Sequence, residues 1–160
     1  LVPYSHTVGG LNIDAMLPAG RSHDVMVVGY GASELEDILT EEAAAQGRVI
    51  VPDPSPEAGY FYRSDHISLA KHGLPMLYAD AGQDLLEGGV EAGEAFSNGY
   101  RENRYHAPAD EYSADWVMDG MVEDITLFYN VGSRLANSQD WPNWYEGNEF
   151  RALRDAQRPE

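Results

Sequence analysis

The residues of this chain that can do chemistry sit in three short polar segments. They are Asn12-Ile13-Asp14-Ala15-Met16, then Tyr62-Arg63-Ser64-Asp65-His66, then Arg104-Tyr105-His106-Ala107-Pro108-Ala109-Asp110. Asp14 sits on or just past a buried strand, beside Asn12, and a carboxylate in such a place needs a cation or several donors. It reads either as a metal ligand at the carboxyl end of a strand or as a carboxylate satisfied by backbone donors at a turn. His106 falls in a loop, where an imidazole is either a ligand or a solvated group. In the middle segment Ser64 and Asp65 suit a helix cap and Arg63 a salt bridge, while Asp65 and His66 equally suit a place behind metal ligands, with Tyr62 and Arg63 as pocket walls. Asp110 fits a cap at a helix start or an orienting role for the loop. The chain has no cysteine, so disulfides and thiolates are excluded and a transition metal must be held by imidazole and carboxylate.

The elements that position these segments alternate strand and helix. Residues 11–16 read as a short buried strand ended by Pro18 and Gly20, and 25–29 as a continuous apolar strand covered on both faces. Ser33 and Glu36 form a capping box for a helix whose stripe is Leu35, Ile38 and Leu39 and which stops at Gly47. A strand over 48–51 leads to a loop over 53–59. A helix capped by Ser64 or Asp65 ends at Gly73, and 75–79 is a further buried strand. The glycines and acids of 82–99 predict a long surface loop with one short helical piece. Ser113 is expected to cap the last long helix, with Val117, Met121, Ile125, Phe128, Val131 and Leu135 at helical spacing and Gly120 as a weak point. Trp141, Trp144, Tyr145 and Phe150 form an aromatic tail, 138–160, that packs back on a single domain. This alternation implies an α/β fold of three layers around a mostly parallel sheet.

Composition narrows the partners. The 160 residues carry 10 Lys and Arg against 27 Asp and Glu, a net charge of −17, which argues against nucleic acid and anionic membrane surfaces. No apolar run is long enough to span a bilayer. His6, His23 and His72 lack ligand spacing and read as surface groups, Glu41-Glu42 as the solvated face of a helix. Gly29-Tyr30-Gly31 lacks the third glycine of a dinucleotide fingerprint.

Taken in order, the three polar segments resemble the C-terminal half of the zinc-dependent aminopeptidase family that includes leucyl aminopeptidases, glutamate carboxypeptidase and glutaminyl cyclase. The resemblance runs from about residue 11 to about residue 135 and rests on the set of motifs with the helices between them. It implies a zinc-exopeptidase α/β/α fold whose N-terminal part is missing here. The family's His-x-Asp motif and Glu-Glu pair precede the Asn-x-Asp strand, and only eleven residues precede Asn12. By resemblance Asp14 is a ligand to one of two zinc ions, His106 a ligand to the other, and Tyr105 a donor to the oxyanion of a tetrahedral intermediate. Asp65, His66, Tyr62, Arg63 and Asp110 line the pocket or stand behind the ligands. The parent activity is hydrolysis of N-terminal residues from peptides, with the isolated chain inactive. A non-catalytic relative on the same fold and a single-zinc glutaminyl cyclase are the alternatives. Family likeness also implies export to the periplasm or beyond. A sheet cut before residue 11 implies pairing with the N-terminal half or with another copy, the strands 25–29 and 48–51 supplying much of the unpaired surface.

Overall fold

The computed structural model describes residues 2–157. Four strands form one mixed sheet: β1 Gly10–Asn12, β2 Asp24–Val28, β3 Val49–Pro52 and β4 Met76–Ala81, in the order β1-β4-β2-β3. β1 runs parallel to β4 and β2 parallel to β3, while β2 and β4 are antiparallel. Six helices accompany them, α1 Leu35–Ala45, α2 Tyr60–Arg63, α3 Ile67–Ala70, α4 Gly89–Asn103, α5 Asp119–Asn137 and α6 Arg151–Gln157.

Alternation along the strands divides the core in two. Val25, Val27, Leu77 and Ala79 face α1 and α5, where they meet Leu35, Ile38, Leu39, Leu127, Phe128, Val131 and Leu135. Met76 faces the other way, into a cluster with Ile67, Ala70, Leu74, Trp144 and Phe150. Trp144 is fully buried and its indole N–H donates to the Gly73 carbonyl at 2.9 Å. Arg154 of α6 donates to the carbonyls of Thr7 and Val8 and lies over the Trp141 ring at 4.5 Å. The tail is thereby fixed to the segment that leads into β1.

Several local expectations change. β1 is only three residues long, so Asp14 stands two residues beyond its end rather than within it. The capping box before α1 is half made. The Glu36 carboxylate accepts from the amides of Gly31, Ala32 and Ser33, whereas the buried Ser33 hydroxyl has no partner among the described residues. Glu36 thus gathers three amides of the turn that precedes the helix, fixing that turn without the reciprocal serine bond. Neither Ser64 nor Asp65 caps α3; no side chain does, because the chain arrives there from the turn of α2. The region expected as a loop holds the fifteen-residue α4, entered through Gly88 at φ 89° with Gly93 lodged against Gln83. Ser113 closes only a local turn, its hydroxyl accepting from the Asp115 amide, and α5 begins at Asp119. Val117 and Ile125, expected in its buried stripe, lie about half exposed instead. Gly120 is no mere weak point: it lets α5 pass the backbone of Gly20, where an added Cβ would lie 1.8 Å from the carbonyl oxygen. β2 is interior and paired on both sides, so among the described residues the free sheet edges are those of β1 and β3.

Candidate active site

Parallel pairing of β1 with β4 sets Asn12 beside Tyr78. Two residues further on, Asp14 has left the end of β1 while Asp80 still lies in β4, opposite Met26. The Tyr78 hydroxyl donates to Asp14 Oδ2 at 3.4 Å, and the phenol is pushed up to about 12, chiefly by burial and further by Asp80 and Asp14. Asp80 is half-buried and pushed up to about 7, first by burial and then by the charges of Asp124, Asp14 and Asp53. The amide of Ala81 donates to it at 2.9 Å, too little to offset that repulsion. Asp14 itself is exposed.

The second wall comes from the end of α4. The Tyr100 hydroxyl donates to Asp110 Oδ2 at 2.9 Å, and the Tyr105 ring lies 6.1 Å from that of Tyr100 and stacks on His106 at 3.9 Å. Burial, Asp110, Tyr105 and Asp14 all raise the Tyr100 phenol, in that order of weight, so Asp14 and the loop over 104–110 share one electrostatic neighbourhood. His106 holds φ 57°, the left-handed region that few residues other than glycine adopt, and its ring is solvent-accessible. Tyr105 is about half exposed, at 49 %. Asp110 caps no helix; it is the acceptor that fixes Tyr100.

The middle segment behaves otherwise. His66 is 2 % exposed, packed edge-on against Phe61 at 4.7 Å and tilted against Tyr78 at 5.3 Å, with neither ring nitrogen hydrogen-bonded. Burial lowers its pKa against the opposing pull of Asp65. Asp65 is exposed. Arg63 makes no salt bridge among the described residues; it donates to the Ala58 carbonyl at 3.3 Å. Tyr62 donates to Glu149 at 2.8 Å, away from Asp14. Glu41 and Glu42 pair with Arg134 at 2.6 and 3.5 Å, tying α1 to α5.

Sequence reasoning passed over Tyr78, Asp80 and Tyr100. The signal for the first two was a polar pair two residues apart in an apolar strand, which puts both on one face. Asp14 and His106 offer zinc suitable donor types, a carboxylate and an imidazole, but the number falls short. Among the described residues no group of three or more His, Asp and Glu converges as a metal site requires. The described residues do not by themselves form a closed zinc site. No helix among the described residues is long and apolar enough to cross a membrane.

Comparison with curated proteins and with solved structures brings up no match. The sequence profile of peptidase family M28 does match, over residues 3–129, a span that takes in the whole sheet, Asp14, the buried His66 and the Tyr105-His106 loop. With that span covering most of its length, the chain belongs to peptidase family M28, a family of generally zinc-dependent aminopeptidases and carboxypeptidases.

Proposed function

We propose that this chain supplies the C-terminal portion of the catalytic domain of a two-zinc aminopeptidase that removes N-terminal residues from peptides. The observation that carries this reading is the Tyr100 hydroxyl, which donates to Asp110 beside the Tyr105 ring and also feels the charge of Asp14 just past β1. In this reading Asp14 and His106 are metal donors and Tyr78 fixes the Asp14 carboxylate. Tyr105 donates its hydroxyl where negative charge develops on the scissile carbonyl oxygen. Two donors hold zinc weakly, so the remaining donors and the base that takes the proton of water come from polypeptide outside these 160 residues. The free edge of β1 supports this. So does the outward stripe of α5, where Met118, Val122, Ile125 and Tyr129 are exposed at spacings of four, three and four residues, the pattern of a helix-packing seam. A strand added beside β1 with a helix laid on α5 would cover both. Export of the protein is part of the same proposal.

The test is metal content measured beside kinetics in the complete enzyme. Asp14→Ala and His106→Ala are expected to lose bound zinc. Tyr105→Phe should keep it and lower kcat by about 10²–10³-fold, as loss of an oxyanion donor does. Zinc loss in the Tyr105 variant would refute its assigned role. The solvent exposure of Asp14, Tyr105 and His106 favours a second reading, a non-catalytic relative that binds peptides. Full zinc occupancy without hydrolysis of any N-terminal residue would select it.

A further inference from the structure

β2 and β3 run opposite to β4, so their carboxyl ends open at the far end of the sheet from Asp14. A cavity of about 440 Å³ lies there, between the Gly29-Tyr30-Gly31 turn that follows β2, the short helix α2 and the turn before α6. Gly29 is required for its shape: φ is 80°, and a Cβ at this position would lie 2.3 Å from the Phe61 ring that forms one wall. The remaining walls are aromatic, with Tyr30, Tyr60, Tyr62 and Phe150 contributing to the lining.

Its charge is of one sign only. Asp53, directly after β3, and Glu149 line the cavity, and no Lys or Arg does. Asp53 Oδ1 accepts from the Ser55 amide at 2.8 Å, and Glu149 Oε1 accepts from the Tyr62 hydroxyl at 2.8 Å. Each carboxylate therefore has one oxygen committed, and no salt bridge engages either among the described residues. The nearest basic side chains in sequence are turned elsewhere, Arg63 to the Ala58 carbonyl and Arg151 to the Trp144 carbonyl and Asp155. Exposed aromatic faces beside unneutralised carboxylates attract a cation that is flat or alkyl-bearing, because the ring quadrupole and the carboxylate act in the same sense.

From this arrangement we propose that the cavity is a binding site for the cationic side chain of a basic residue, arginine or lysine, presented by a peptide. The guanidinium or ammonium group lies between Glu149 and Asp53, and its aliphatic stem lies on Tyr30 and Tyr62. Neither Asp14 nor His106 lines the cavity, so the assignment holds whether or not the chain takes part in hydrolysis.

The test is a nuclear magnetic resonance titration of the isotope-labelled 160-residue chain with N-acetyl-argininamide and N-acetyl-lysinamide. N-acetyl-citrullinamide and N-acetyl-norleucinamide serve as uncharged probes of similar shape. Blocking both ends leaves the side chain as the single cation. Saturable shifts are expected at Tyr30, Tyr62 and Gly147, with the charged probes binding about three- to tenfold more tightly than the uncharged ones. Glu149→Gln should erase that preference, and Tyr30→Ser should weaken all four probes. Glu91→Gln on α4 should change nothing. Equal binding of charged and uncharged probes, shifts confined to other parts of the chain, or no saturable binding at all would overturn the assignment.

Discussion

Asp124→Asn removes the negative partner of the buried ion pair that joins α5 to the start of β3, and its cost can be worked from the surroundings. Arg48 Nη1 lies 2.7 Å from Asp124 Oδ1, with the two side chains 3 % and 4 % exposed. The same guanidinium donates to the Asp24 carbonyl at 2.8 and 3.2 Å and to the Ser22 hydroxyl at 3.0 Å. Asp24 in turn accepts from the amides of Gln83 and Asp84, the turn that leads to α4 and so to Tyr105 and His106. Burial, with the charges of Glu123 and Asp24, raises the Asp124 carboxyl despite the attraction of Arg48, as expected where desolvation opposes a buried pair. Such a pair adds little net stability yet is costly to halve, since Asp124→Asn leaves a buried guanidinium uncompensated at about 3–5 kcal/mol. Against the roughly 5–15 kcal/mol of a whole domain this is a large fraction. In urea the midpoint should fall by at least about 1 M, for a slope of about 1–3 kcal/mol per molar. The double variant Arg48→Met, Asp124→Leu should cost less than the sum of the two single changes. It should not return to the original stability, because the Asp24 carbonyl and the Ser22 hydroxyl lose the Arg48 donor and keep only the bond between them, Ser22 hydroxyl to Asp24 carbonyl at 2.7 Å, a loss of about 0.5–1.5 kcal/mol for each hydrogen bond removed. A cost below about 1 kcal/mol for Asp124→Asn, or strict additivity in the double variant, would refute this reasoning.

Two other substitutions have opposite expected signs at glycines of similar helical setting. Gly120→Ala should destabilise the chain by about 1–3 kcal/mol because its Cβ meets backbone at Gly20, while Gly99→Ala, with nothing within 4 Å, should stabilise by about 0.5–1 kcal/mol; thermal denaturation compares them. Asp80 makes stability depend on pH. Its folded-state pKa of about 7 exceeds the ordinary 3.8 of an aspartate, so the folded chain binds the proton more tightly, and this contribution is full below about pH 4 and lost as pH rises through 7. A shift of this size corresponds to about 4 kcal/mol, which the partial exposure of Asp80 reduces to about 1–2 kcal/mol. Urea unfolding of the metal-free chain at pH 5 and pH 8 should show that loss in the original sequence and not in Asp80→Asn; an identical slope in both would remove Asp80 as the cause.

The parts of the fold written in local sequence were legible. β2, α1 and β4 lie within a residue or two of where apolar runs, Glu36 and Gly47 put them. The glycine at the end of α1 adopts φ 76°, as a helix stop requires. α4 was hidden because Gly89, Gly93 and Gly99 weaken helix propensity, and one of them is there for tertiary fit, Gly93 against Gln83. Ser113 satisfied the capping rule in a turn of its own, leaving α5 to begin six residues later. At the site, the motifs around Asp14 and His106 could be picked out along the chain. What links them could not be, because it depends on strand order: Tyr78 and Asp80 come beside Asp14 only because β4 pairs with β1, and Tyr100 joins them only because α4 is a helix. His66 stood out as a polar residue of the middle motif but not as a deeply buried imidazole, since that follows from Phe61 and Tyr78 packing against it.

The central claim is that Asp14 and His106 are the zinc donors of this chain and that two donors do not suffice for catalysis. Zinc titrated into the 160-residue chain, with the five histidine imidazoles followed individually by nuclear magnetic resonance and peptide hydrolysis assayed in parallel, tests it directly. The account predicts that zinc shifts His106 and leaves His6, His23, His66 and His72 unmoved, that the shift is lost in Asp14→Ala, that binding is weak, and that no peptide is cleaved. Tight binding of two zinc ions, zinc taken up at another histidine, or hydrolysis by the 160-residue chain would contradict it.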